Sequence, residues 1–548
     1  MYFRKKTSAG RAYLQIVKSR REGAAVRQQV IATLGRIDEL QASGQLERLL
    51  RSGARFSGKA IVLDALERGE ATAISTRRIG PALAFERIWE ETGCRGVIER
   101  LARARNHEFS LERAAFLTVL HRLFCGGSDR AADRWREDYR IDGLDGLELH
   151  HLYRAMAWLG DELPKDQQDA ATPFAPRCVK DVLEEELFAS RRDLLTTLDI
   201  VFMDTTSLYF EGAGGQTLGR RGFSKDRRPD LNQMILAVLL DGDGRPVCTE
   251  MWPGNTADVG SLIPAIDRLQ RRFRINRVCV VADRGMISAE TIAELEARKL
   301  LYVLGVRERT DKLVRDLVLD DPAPFVPFVL MKERREVDYE AKAVKLAGRR
   351  YIVCRNLDEM SKDAANRATI VAALERRLKK GDKSLVGNKG YRRFLANPRR
   401  DGFAIDRAKV EEDAKFDGVF VLQTNANLSP LEAMLVYKQL WTVERTFRTT
   451  KSLLETRPIY HKLDETIRGH VACGFLALVL KKELEDRIAG ARASWPAVIA
   501  DLDSLTETEV EQDGKRFLLR SAPRPAASLA LTALGVALPP TLRQIAHR

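Results

Sequence analysis

The sequence has few of the residues that build zinc sites and disulfide frameworks. Its 548 residues contain 7 cysteines and 7 histidines, and no two cysteines have the C-x-x-C spacing of a zinc ligand pair. An odd and dispersed set of cysteines is typical of buried thiols in a reducing compartment. The sequence therefore argues against a structural zinc module and against a disulfide-rich secreted scaffold.

Motifs of several common enzyme classes are also missing. The glycines around Gly212–Gly215 have neither the G-x-G-x-x-G spacing nor a following Gly-Lys-Ser/Thr, which excludes a nucleotide-binding loop there. No H-E-x-x-H and no G-x-S-x-G occurs. Their absence argues against a zinc protease and against an α/β-hydrolase.

Long apolar runs are absent as well. The longest, Val471–Leu480, is followed directly by Lys481 and Lys482, whereas a membrane-spanning helix needs about 20 apolar residues. The first 21 residues hold seven basic side chains and no acidic one, but they lack the apolar core of a signal peptide. We therefore expect a soluble cytoplasmic protein with no membrane partner.

Positive charge is what the sequence has in excess. The 91 Lys and Arg residues against 77 Asp and Glu give a formal charge of +14 and a pI near 9.4. At 45% hydrophobic and 31% charged residues, the chain is expected to be globular. The charge favours a polyanionic partner, above all nucleic acid, over a neutral metabolite.

The spacing of apolar residues changes along the first 200 residues. Period-2 alternation over 1–35, with turn residues near Arg20–Gly23, predicts a small basic β-hairpin. From about 38 to 195 the period is helical, as in Leu111–Phe124. Such a region is either a bundle with solvated charged faces or a DNA-binding element, and the pattern favours neither.

After residue 198 the pattern becomes that of a mixed sheet covered by helices. Apolar runs at 231–240 and 245–251 flank Asp241–Gly244, a turn signal between two strands. Strand–helix alternation then continues from Val278–Ala282 to a strand at 301–306. Three consecutive strands followed by such alternation indicate an α/β fold.

Residues 309–415 interrupt this alternation. They contain a predicted hairpin that turns at Ala347-Gly348, a helix near 363–380 and a basic stretch over 376–400. The apolar run Val419–Leu422 then looks like a strand that returns to the main sheet.

Two aspartates follow predicted strands. Asp204 comes after the apolar run Leu198–Met203, and Asp283 comes after Val278–Ala282. A carboxylate at the end of a strand projects into the crevice where α/β sheets place their sites. Aspartate is also common as the cap of a following turn or helix, and neither residue alone decides between these interpretations.

A third acidic residue lies on a helix with a well-specified start. Ser429-Pro430-Leu431-Glu432 combines a capping box with proline at the first helical position. Tyr437, Glu444 and Lys451 follow at intervals of seven residues and so share one face of the predicted helix. A phenol, a carboxylate and an ammonium in line suit a metal ion flanked by phosphates. The alternative is an exposed face with a Glu444–Arg448 ion pair.

These motifs resemble those of the DDE transposases of bacterial insertion sequences. The segment from Tyr437 through Glu444 to Lys451 is similar to the family's Y-(2)-R-(3)-E-(6)-K signature. Asp204-Thr205-Thr206 and Ala282-Asp283-Arg284-Gly285 resemble its two strand-end aspartates. The run Gly222–Leu231 resembles a stretch that follows the first aspartate in one branch. The resemblance covers about 196–480, with four motifs in the family's order.

The resemblance implies a multidomain α/β protein. Its ribonuclease-H-like catalytic core would carry a β-rich insertion and would be preceded by a small β-hairpin and a helical domain. The expected regions are 1–60, the N-terminal basic hairpin and helix; 61–195, a helical region for DNA-end binding or dimerisation; 196–308 and 416–485, the catalytic domain; 309–415, the insertion domain; and 486–548, a C-terminal helix and tail.

The resemblance further implies cut-and-paste transposition, with hydrolysis at the transposon ends and strand transfer into target DNA. The partners would be double-stranded DNA, as terminal inverted repeats and as target, and a second copy of the chain in a homodimer on the DNA. The protein would lie in the bacterial cytoplasm and on the nucleoid when bound. Asp204, Asp283 and Glu444 would be the catalytic metal ligands, and Tyr437 and Lys451 would contact phosphates.

The chemistry of these residues is consistent with that role. Phosphoryl transfer on DNA is supported by two divalent ions about 4 Å apart, and three carboxylates are enough to anchor them. Hard oxygen ligands without histidine or cysteine favour Mg2+ or Mn2+. Lys225, Arg227 and Arg228 form a candidate backbone-phosphate patch after Asp204, whose alternative is a solvated charged loop.

Two features depart from the family pattern. Leu440 occupies the position of the signature's arginine, so Lys438 or Arg448 would have to supply that phosphate contact. Residues 253–440 contain no tryptophan, whereas members that form a DNA hairpin hold a flipped base with an aromatic side chain. The candidates for that role here are Tyr391, Phe394, Phe416 and Phe420.

Two alternatives to a transposase stay open. One is a transposase-derived DNA-binding protein without catalysis. The presence of Leu440 in place of the signature's arginine is consistent with this alternative. The other is a related DNA nuclease or recombinase that cuts without strand transfer.

Overall fold

The structure is a computed structural model of the 548-residue chain. It describes residues 2–8, 10–22, 25–54, 72–103, 105, 107–169, 175–191, 200–225, 228–275, 278–332, 335–379, 393–396, 404–440, 457–491, 493–512 and 515–545. The chain divides into two compact units. The first comprises Met1–Leu83, Glu137–Arg140 and Arg492–Arg548, and the second Ala84–Arg136 and Ile141–Ala491.

The strands are numbered in chain order. They are β1 (Tyr2–Ser8), β2 (Arg11–Glu22), β3 (Ala25–Arg36), β4 (Thr72–Arg78), β5 (Ile200–Tyr209), β6 (Gln233–Leu240), β7 (Pro246–Pro253), β8 (Cys279–Ala282), β9 (Leu301–Val306), β10 (Val326–Lys332), β11 (Arg335–Leu346), β12 (Arg349–Asn356), β13 (Leu395–Ala396), β14 (Ala404–Ile405), β15 (Val419–Thr424), β16 (Thr506–Gln512), β17 (Lys515–Arg520) and β18 (Leu542–Ile545).

The α-helices are numbered in the same way. They are α1 (Ile37–Ala42), α2 (Gln45–Ala54), α3 (Gly80–Glu91), α4 (Cys94–Ala102), α5 (Leu111–Phe124), α6 (Asp129–Trp135), α7 (Leu149–Leu159), α8 (Val179–Arg191), α9 (Leu262–Phe273), α10 (Ala289–Ala297), α11 (Leu357–Leu378), α12 (Arg407–Ala414), α13 (Pro430–Lys438), α14 (Asp464–Arg487), α15 (Trp495–Asp503) and α16 (Pro525–Ala533). Among the described residues, no helix combines the length and the apolar character needed to cross a membrane.

The first unit contains two antiparallel sheets. One has the order β1-β2-β3, so the predicted N-terminal hairpin is part of a three-stranded sheet. The other has the order β18-β17-β16-β4. The expectation of only a helix and a tail at the C-terminus missed β16, β17 and β18. The strand β16 alternates threonine and glutamate around the single apolar residue Val510, and such a segment gives a weak strand signal.

The second unit is built on one large mixed sheet. Its order is β10-β11-β12-β15-β9-β8-β5-β6-β7. β5, β8 and β9 are parallel to one another, and the other neighbours are antiparallel. The predicted α/β class, the hairpin β6–β7 and the return of β15 to the main sheet are confirmed.

The strands of the predicted insertion extend this sheet. β12 pairs with β15, and β11 and β10 follow outward. The β11–β12 hairpin turns at Ala347 and Gly348 as predicted, with φ values of 49° and 77°. Helix α11 starts at Leu357, earlier than predicted, because the Asn356 side chain caps it by accepting a hydrogen bond from the Glu359 amide.

Successive residues of the central strands pack into different cores on the two faces of the sheet. On β5, Val201 and Met203 contribute to one apolar cluster together with α9 and α10. Phe202 contributes to the other cluster, which is covered by α13. The same alternation holds for Val280 and Val281 of β8. This alternation determines which side chains of β5 and β8 point toward α13.

A buried ionic network joins α8 to β7 and α9. Lys180 Nζ donates to Glu184 Oε1 at 3.0 Å and to the Thr249 carbonyl at 2.9 Å. Arg272 Nη2 donates to Glu184 Oε2 at 2.6 Å. Burial alone would raise the pKa of Asp181, but Lys180, Arg272 and Arg268 lower it well below its usual range. The network therefore consists of charges held in the interior by opposite charges.

Candidate active site

Asp204 and Asp283 occupy corresponding positions on neighbouring parallel strands. Met203 of β5 and Ala282 of β8 are partners in the ladder, and each aspartate is the next residue of its chain segment. Neighbouring strands lie about 4.8 Å apart. Asp283 continues in extended conformation, with φ −77° and ψ 159°. The structure thus places each of these two predicted residues directly after one member of the last residue pair between β5 and β8.

Asp204 differs from the sequence expectation in one respect, because it lies inside a strand. β5 continues to Tyr209, and Asp204 itself pairs with Val238 of β6. Only the pairing with β8 stops at Met203, since β8 ends and its chain turns into the short 3-10 helix Arg284–Met286. The edge at Asp204 is therefore created by the departure of the neighbouring strand.

Both aspartates lie on the face of the sheet that α13 covers. Asp204 is two residues after Phe202, and Asp283 two residues after Val281, and both of these apolar residues pack in the α13 cluster. Asp204 is half-buried and its Oδ1 accepts a hydrogen bond of 2.7 Å from the Thr205 amide. Asp283 is exposed. Solvent therefore reaches Asp283 next to the packed helix α13.

Helix α13 places Tyr437 on this edge. The predicted capping box is confirmed: Ser429 Oγ accepts from the Glu432 amide at 3.2 Å, and the Ser429 amide donates to Glu432 Oε2 at 2.7 Å. Near the other end of the helix, Tyr437 Oη donates a hydrogen bond of 2.9 Å to Asp283 Oδ1. Tyr437 is therefore in direct contact with one of the predicted metal ligands.

Gly305 provides the space in which the phenol lies. It is the residue after Leu304 of β9, which pairs with Ala282, so Gly305 is level with Asp283 on the next strand. A Cβ atom at Gly305 would lie 2.3 Å from Tyr437 Oη and 3.0 Å from its Cζ. Sequence reasoning did not single out Gly305, although a glycine inside a strand is a signal for a close approach.

The surroundings of Tyr437 keep its hydroxyl protonated. Burial, the charge of Asp283 and the hydrogen bond to it all raise the pKa of Tyr437 above its usual range. The ring also stacks on Phe420, with centroids 6.3 Å apart and planes 20° from parallel. Tyr437 is thus a fixed hydrogen-bond donor at neutral pH.

An ion pair that sequence reasoning missed lies beside this contact. Arg284, the residue after Asp283, is 3.3 Å from Glu308 Oε1 through Nη1. Glu308 is 8% exposed, and its charge also raises the pKa of Tyr437. Its position after β9 carries no motif, so no sequence signal identifies it. The pair adds one positive and one negative charge to the edge that carries Asp283.

The predicted phosphate patch lies partly beside Asp204. Lys225 Nζ donates to the carbonyl and the hydroxyl of Thr205, at 2.8 and 3.0 Å. Arg228 pairs with Asp230 at 3.0 Å, and its guanidinium lies 5.5 Å from the Tyr209 ring centroid. Arg227 lies outside the described residues. Lys225 is the described member of the patch that contacts the residue next to Asp204.

The structure places Lys438 on an aromatic surface. Its Nζ is 3.3 Å from the ring centroid of Tyr339 and 6.0 Å from that of Phe420. Leu440, at the position of the signature's arginine, is 8% exposed and packs in the same apolar cluster as Met434. The Leu440 side chain is therefore part of the apolar core.

Helix α13 ends before the remaining residues of the motif, whereas the sequence predicts one helix through Lys451. α13 ends at Lys438, and Gln439 caps it. Glu444, Arg448 and Lys451 lie outside the described residues, so their shared face stays a prediction.

The aromatic candidates for base binding are mostly covered. Phe394 and Phe416 are 1% and 6% exposed, Phe420 stacks on Tyr437, and Tyr391 lies outside the described residues.

Asp204 and Asp283 carry the kind of ligand atom that divalent cations bind. They supply hard carboxylate oxygens, which suit Mg2+ or Mn2+. Within the part of the chain that the structure describes, no three His, Cys, Asp or Glu side chains form a group that can hold a metal ion. Glu444, the third carboxylate of the predicted set, is outside that part.

Two family models match this chain. Residues 196–480, more than half of the chain, match the family described as the transposase DDE domain. Residues 3–67 match the N-terminal domain of IS1634 family transposases. The chain belongs to the DDE transposases of insertion sequences. The predicted family and the predicted enzymatic activity on DNA are thereby confirmed, and the use of divalent metal ions is general in this family.

Solved structures of transposases show only distant similarity. The piggyBac transposase synaptic complex with hairpin DNA is 11% identical, with 77% of this chain and 79% of that chain covered and a TM-score of 0.33. Two complexes of the Mos1 transposase, a paired-end complex with the left transposon end and a mariner paired-end complex with Mn, are 15% and 14% identical. For both, the match covers 36% of this chain and 60% of that chain, at a TM-score of 0.14. No curated protein sequence matches. The family assignment therefore rests on the sequence match.

Proposed function

We propose that this transposase moves its insertion sequence by cut-and-paste transposition, with Asp204, Asp283 and Glu444 as its catalytic residues. The observation that supports this proposal is that Asp204 and Asp283 each directly follow the last paired residues of two parallel strands, Met203 and Ala282, on the face covered by α13. The antiparallel strands β7, β6 and β5, followed by the parallel β8 and β9, have the arrangement expected of a ribonuclease-H-like core.

The three carboxylates would hold two Mg2+ or Mn2+ ions. Such ions, when bound, make a nucleophile of water or a 3′-hydroxyl and neutralise charge on the leaving oxygen. Tyr437 orients Asp283 through its hydrogen bond. Glu444 is assigned as the third ligand by its position in the motif.

Basic side chains around the carboxylates would position the DNA backbone. Lys225 contacts Thr205, the residue after Asp204. Arg227, Arg228 and Lys451 are assigned to further phosphates by their positions in the motifs. Arg448 is the alternative to the missing arginine. Lys438 can take that role only by leaving the Tyr339 ring, 3.3 Å from its ammonium group.

The proposed DNA substrates are the terminal inverted repeats and the target duplex. Two protomers would hold the paired ends as a homodimer, in the cytoplasm and at the nucleoid. Strand transfer requires both ends in one complex, which is the reason for proposing two copies.

The test is Mg2+-dependent cleavage and joining of the element's own ends by the purified protein. Asp204→Ala, Asp283→Ala and Glu444→Ala are expected to lose both steps while retaining DNA binding. Asp243→Ala is the matched control, because Asp243 is an exposed aspartate in the turn between β6 and β7. It is expected to cut and join like the wild type.

Two results would contradict the proposal. Cleavage by any of the three alanine variants at the wild-type rate would remove that residue from the catalytic set. Cleavage without joining by the wild type, with a complete pair of ends present, would indicate a nuclease instead.

A further inference from the structure

Arg284 is a cation directly beside a proposed metal ligand. It follows Asp283 in the chain, and its side chain is 57% exposed. A guanidinium pairs readily with carboxylate oxygens, so an arginine at this position competes with a divalent cation for the Asp283 carboxylate. The contacts of the Arg284 side chain therefore bear on the availability of Asp283.

Residues of opposite charge that are adjacent in sequence do pair in this chain. Arg315 Nε lies 2.6 Å from Oδ1 of the following Asp316. Arg113 Nε donates to Oε2 of the preceding Glu112, also at 2.6 Å. An arginine is thus able to reach the carboxylate of its chain neighbour.

The structure gives the two side chains at 283 and 284 different partners. Asp283 Oδ1 accepts the hydrogen bond of 2.9 Å from Tyr437. Arg284 Nη1 is directed to Glu308, at 3.3 Å from Oε1 and 3.5 Å from Oε2. Glu308 is 8% exposed, and a charge shielded from water gains more from a cation than an exposed one does. Glu308 is therefore a favourable partner for this guanidinium.

The other arginines of the Glu308 turn are engaged elsewhere. Arg309 pairs with Asp413. Arg307 Nε donates to the backbone carbonyl of Arg284 at 3.3 Å, which ties the backbone of that residue to the same turn. Within the part of the chain that the structure describes, Arg284 is the ion-pair partner of Glu308.

We propose that Glu308 is a positioning residue that keeps the guanidinium of Arg284 away from Asp283, so that the Asp283 carboxylate stays available to a divalent cation. The proposal rests on the proposed function of Asp283 as a metal ligand. Without the Glu308 charge, the guanidinium would pair with the carboxylate next to it and compete there with Mg2+ or Mn2+. In the alternative, Glu308 orients Arg284 toward a DNA phosphate.

A double-mutant cycle on Mn2+ binding by the purified full-length protein tests the proposal. Unbound Mn2+ is measured by its electron paramagnetic resonance signal in the wild type, Glu308→Gln, Arg284→Gln and the double variant. Glu308→Gln is expected to bind Mn2+ about fivefold more weakly, the effect of one exposed ion pair. In the Arg284→Gln background the same change is expected to cost less than about twofold, because no guanidinium competes. The double variant has the wild-type net charge and should bind Mn2+ like the wild type.

Glu308→Asp separates the contact from the charge. It keeps the carboxylate but shortens the side chain by one methylene group, and it serves in place of Glu308→Gln if that variant does not fold. It is expected to weaken Mn2+ binding when Arg284 is present and not in Arg284→Gln. Equal losses in both backgrounds would overturn the proposal, since Glu308 would then act by its own charge. Unchanged Mn2+ binding in Glu308→Gln would overturn it as well.

Single-turnover cleavage of the element's end supplies a second readout. Glu308→Gln is expected to need about fivefold more Mg2+ and to recover most of the wild-type rate at high Mg2+. Weaker DNA binding by Arg284→Gln, together with an unchanged Mg2+ requirement in Glu308→Gln, would overturn the proposal and assign the pair to phosphate binding.

Two further variants complete the design. Glu509→Gln is the matched control, because it breaks another arginine–glutamate pair of 3.3 Å, with Arg516 in the other unit. It should bind Mn2+ like the wild type. Asp283→Asn is expected to lose Mn2+ binding. If it binds like the wild type, the proposed function of Asp283 fails and this inference with it. If it loses binding while the cycle is additive, only the role of Glu308 is contradicted.

Discussion

Tyr437 and Asp283 are 154 residues apart in the chain and are joined by a hydrogen bond of 2.9 Å from phenol to carboxylate. The bond connects helix α13 to the edge of β8. The same helix buries Ala433 and Met434 against the sheet, and Leu440 continues this packing beyond its end. The segment that leads to Glu444 therefore starts from a position that is fixed relative to Asp283.

Removing this hydrogen bond is expected to slow DNA cleavage. Tyr437→Phe keeps the ring on Phe420 but leaves Asp283 without its donor. A hydrogen bond to a charged group contributes about 1.5–3 kcal/mol, so we expect a rate loss of about 10- to 100-fold and a higher Mg2+ requirement. Single-turnover cleavage at a series of Mg2+ concentrations measures both.

Tyr460→Phe is the control for that variant, since Tyr460 is 63% exposed. Its cleavage rate should equal that of the wild type. If Tyr437→Phe also cuts at the wild-type rate at every Mg2+ concentration, the phenol has no part in holding Asp283.

Gly305→Ala is expected to act through Tyr437. The new Cβ atom would meet the phenol oxygen at 2.3 Å, too close for the observed arrangement. In the wild-type background we expect a lower melting temperature and slower cleavage. In the Tyr437→Ala background the phenol is absent and only the Arg284 amide nitrogen, 3.2 Å from the new Cβ atom, remains close. The same substitution should therefore lower the melting temperature less.

Gly260→Ala is the matched glycine substitution, because a Cβ atom there has nothing within 4 Å. It should leave stability and cleavage unchanged. Equal losses from Gly305→Ala in both backgrounds would show that the substitution disturbs β9 itself rather than the phenol.

Acid is expected to destabilise the fold through buried histidines of the second unit. Burial and the charge of Arg122 lower the pKa of His121 and of His461 to about 4. The unfolded chain, with a histidine pKa near 6.5, then binds more protons than the folded chain between pH 6.5 and 4. Stability from these groups is present above pH 6.5 and is lost as the pH falls toward 4.

Urea unfolding at pH 7 and pH 4.5 checks this prediction. His121 is 3% exposed, and a pKa shift of this size corresponds to roughly 3 kcal/mol at most. His121→Gln is expected to reduce the difference in unfolding free energy between the two pH values. His150→Gln, at an exposed histidine, should not change it. An unchanged difference in His121→Gln would mean that His121 does not contribute to the acid sensitivity.

The elements that the sequence predicts correctly are those specified by residues within or next to the element itself. The hairpin β6–β7 follows from its Asp-Gly-Asp-Gly turn. Helix α5 has the predicted bounds Leu111–Phe124, since Ser110 caps it by accepting a hydrogen bond from the Arg113 amide. The position of Asp283 directly after β8 also follows from the sequence, because the apolar run Val278–Ala282 ends there.

Features that depend on distant partners were not accessible from the sequence. The edge at Asp204 arises where β8 ends, which no residue of β5 encodes. Gly305 is needed only because Tyr437, more than a hundred residues later, lies over it. Lys438 was assigned to phosphate from its place in a motif, whereas the fold sets it on Tyr339 of a strand in the insertion. Each case is a tertiary contact between segments with no shared local pattern.

The buried network of α8, β7 and α9 gives a prediction about stability that does not involve the DNA site. Arg272 has a side chain that is 1% exposed and contacts Asp181, Glu184 and Glu250. In Arg272→Met these carboxylates would lose a cation in an environment without water, which typically costs about 3–5 kcal/mol. Urea unfolding of the isolated protein at pH 7 measures the loss. Arg315→Met, at an exposed arginine paired with Asp316, should unfold like the wild type. If Arg272→Met unfolds at the wild-type urea concentration, the remaining cations Lys180 and Arg268 are sufficient to neutralise the cluster.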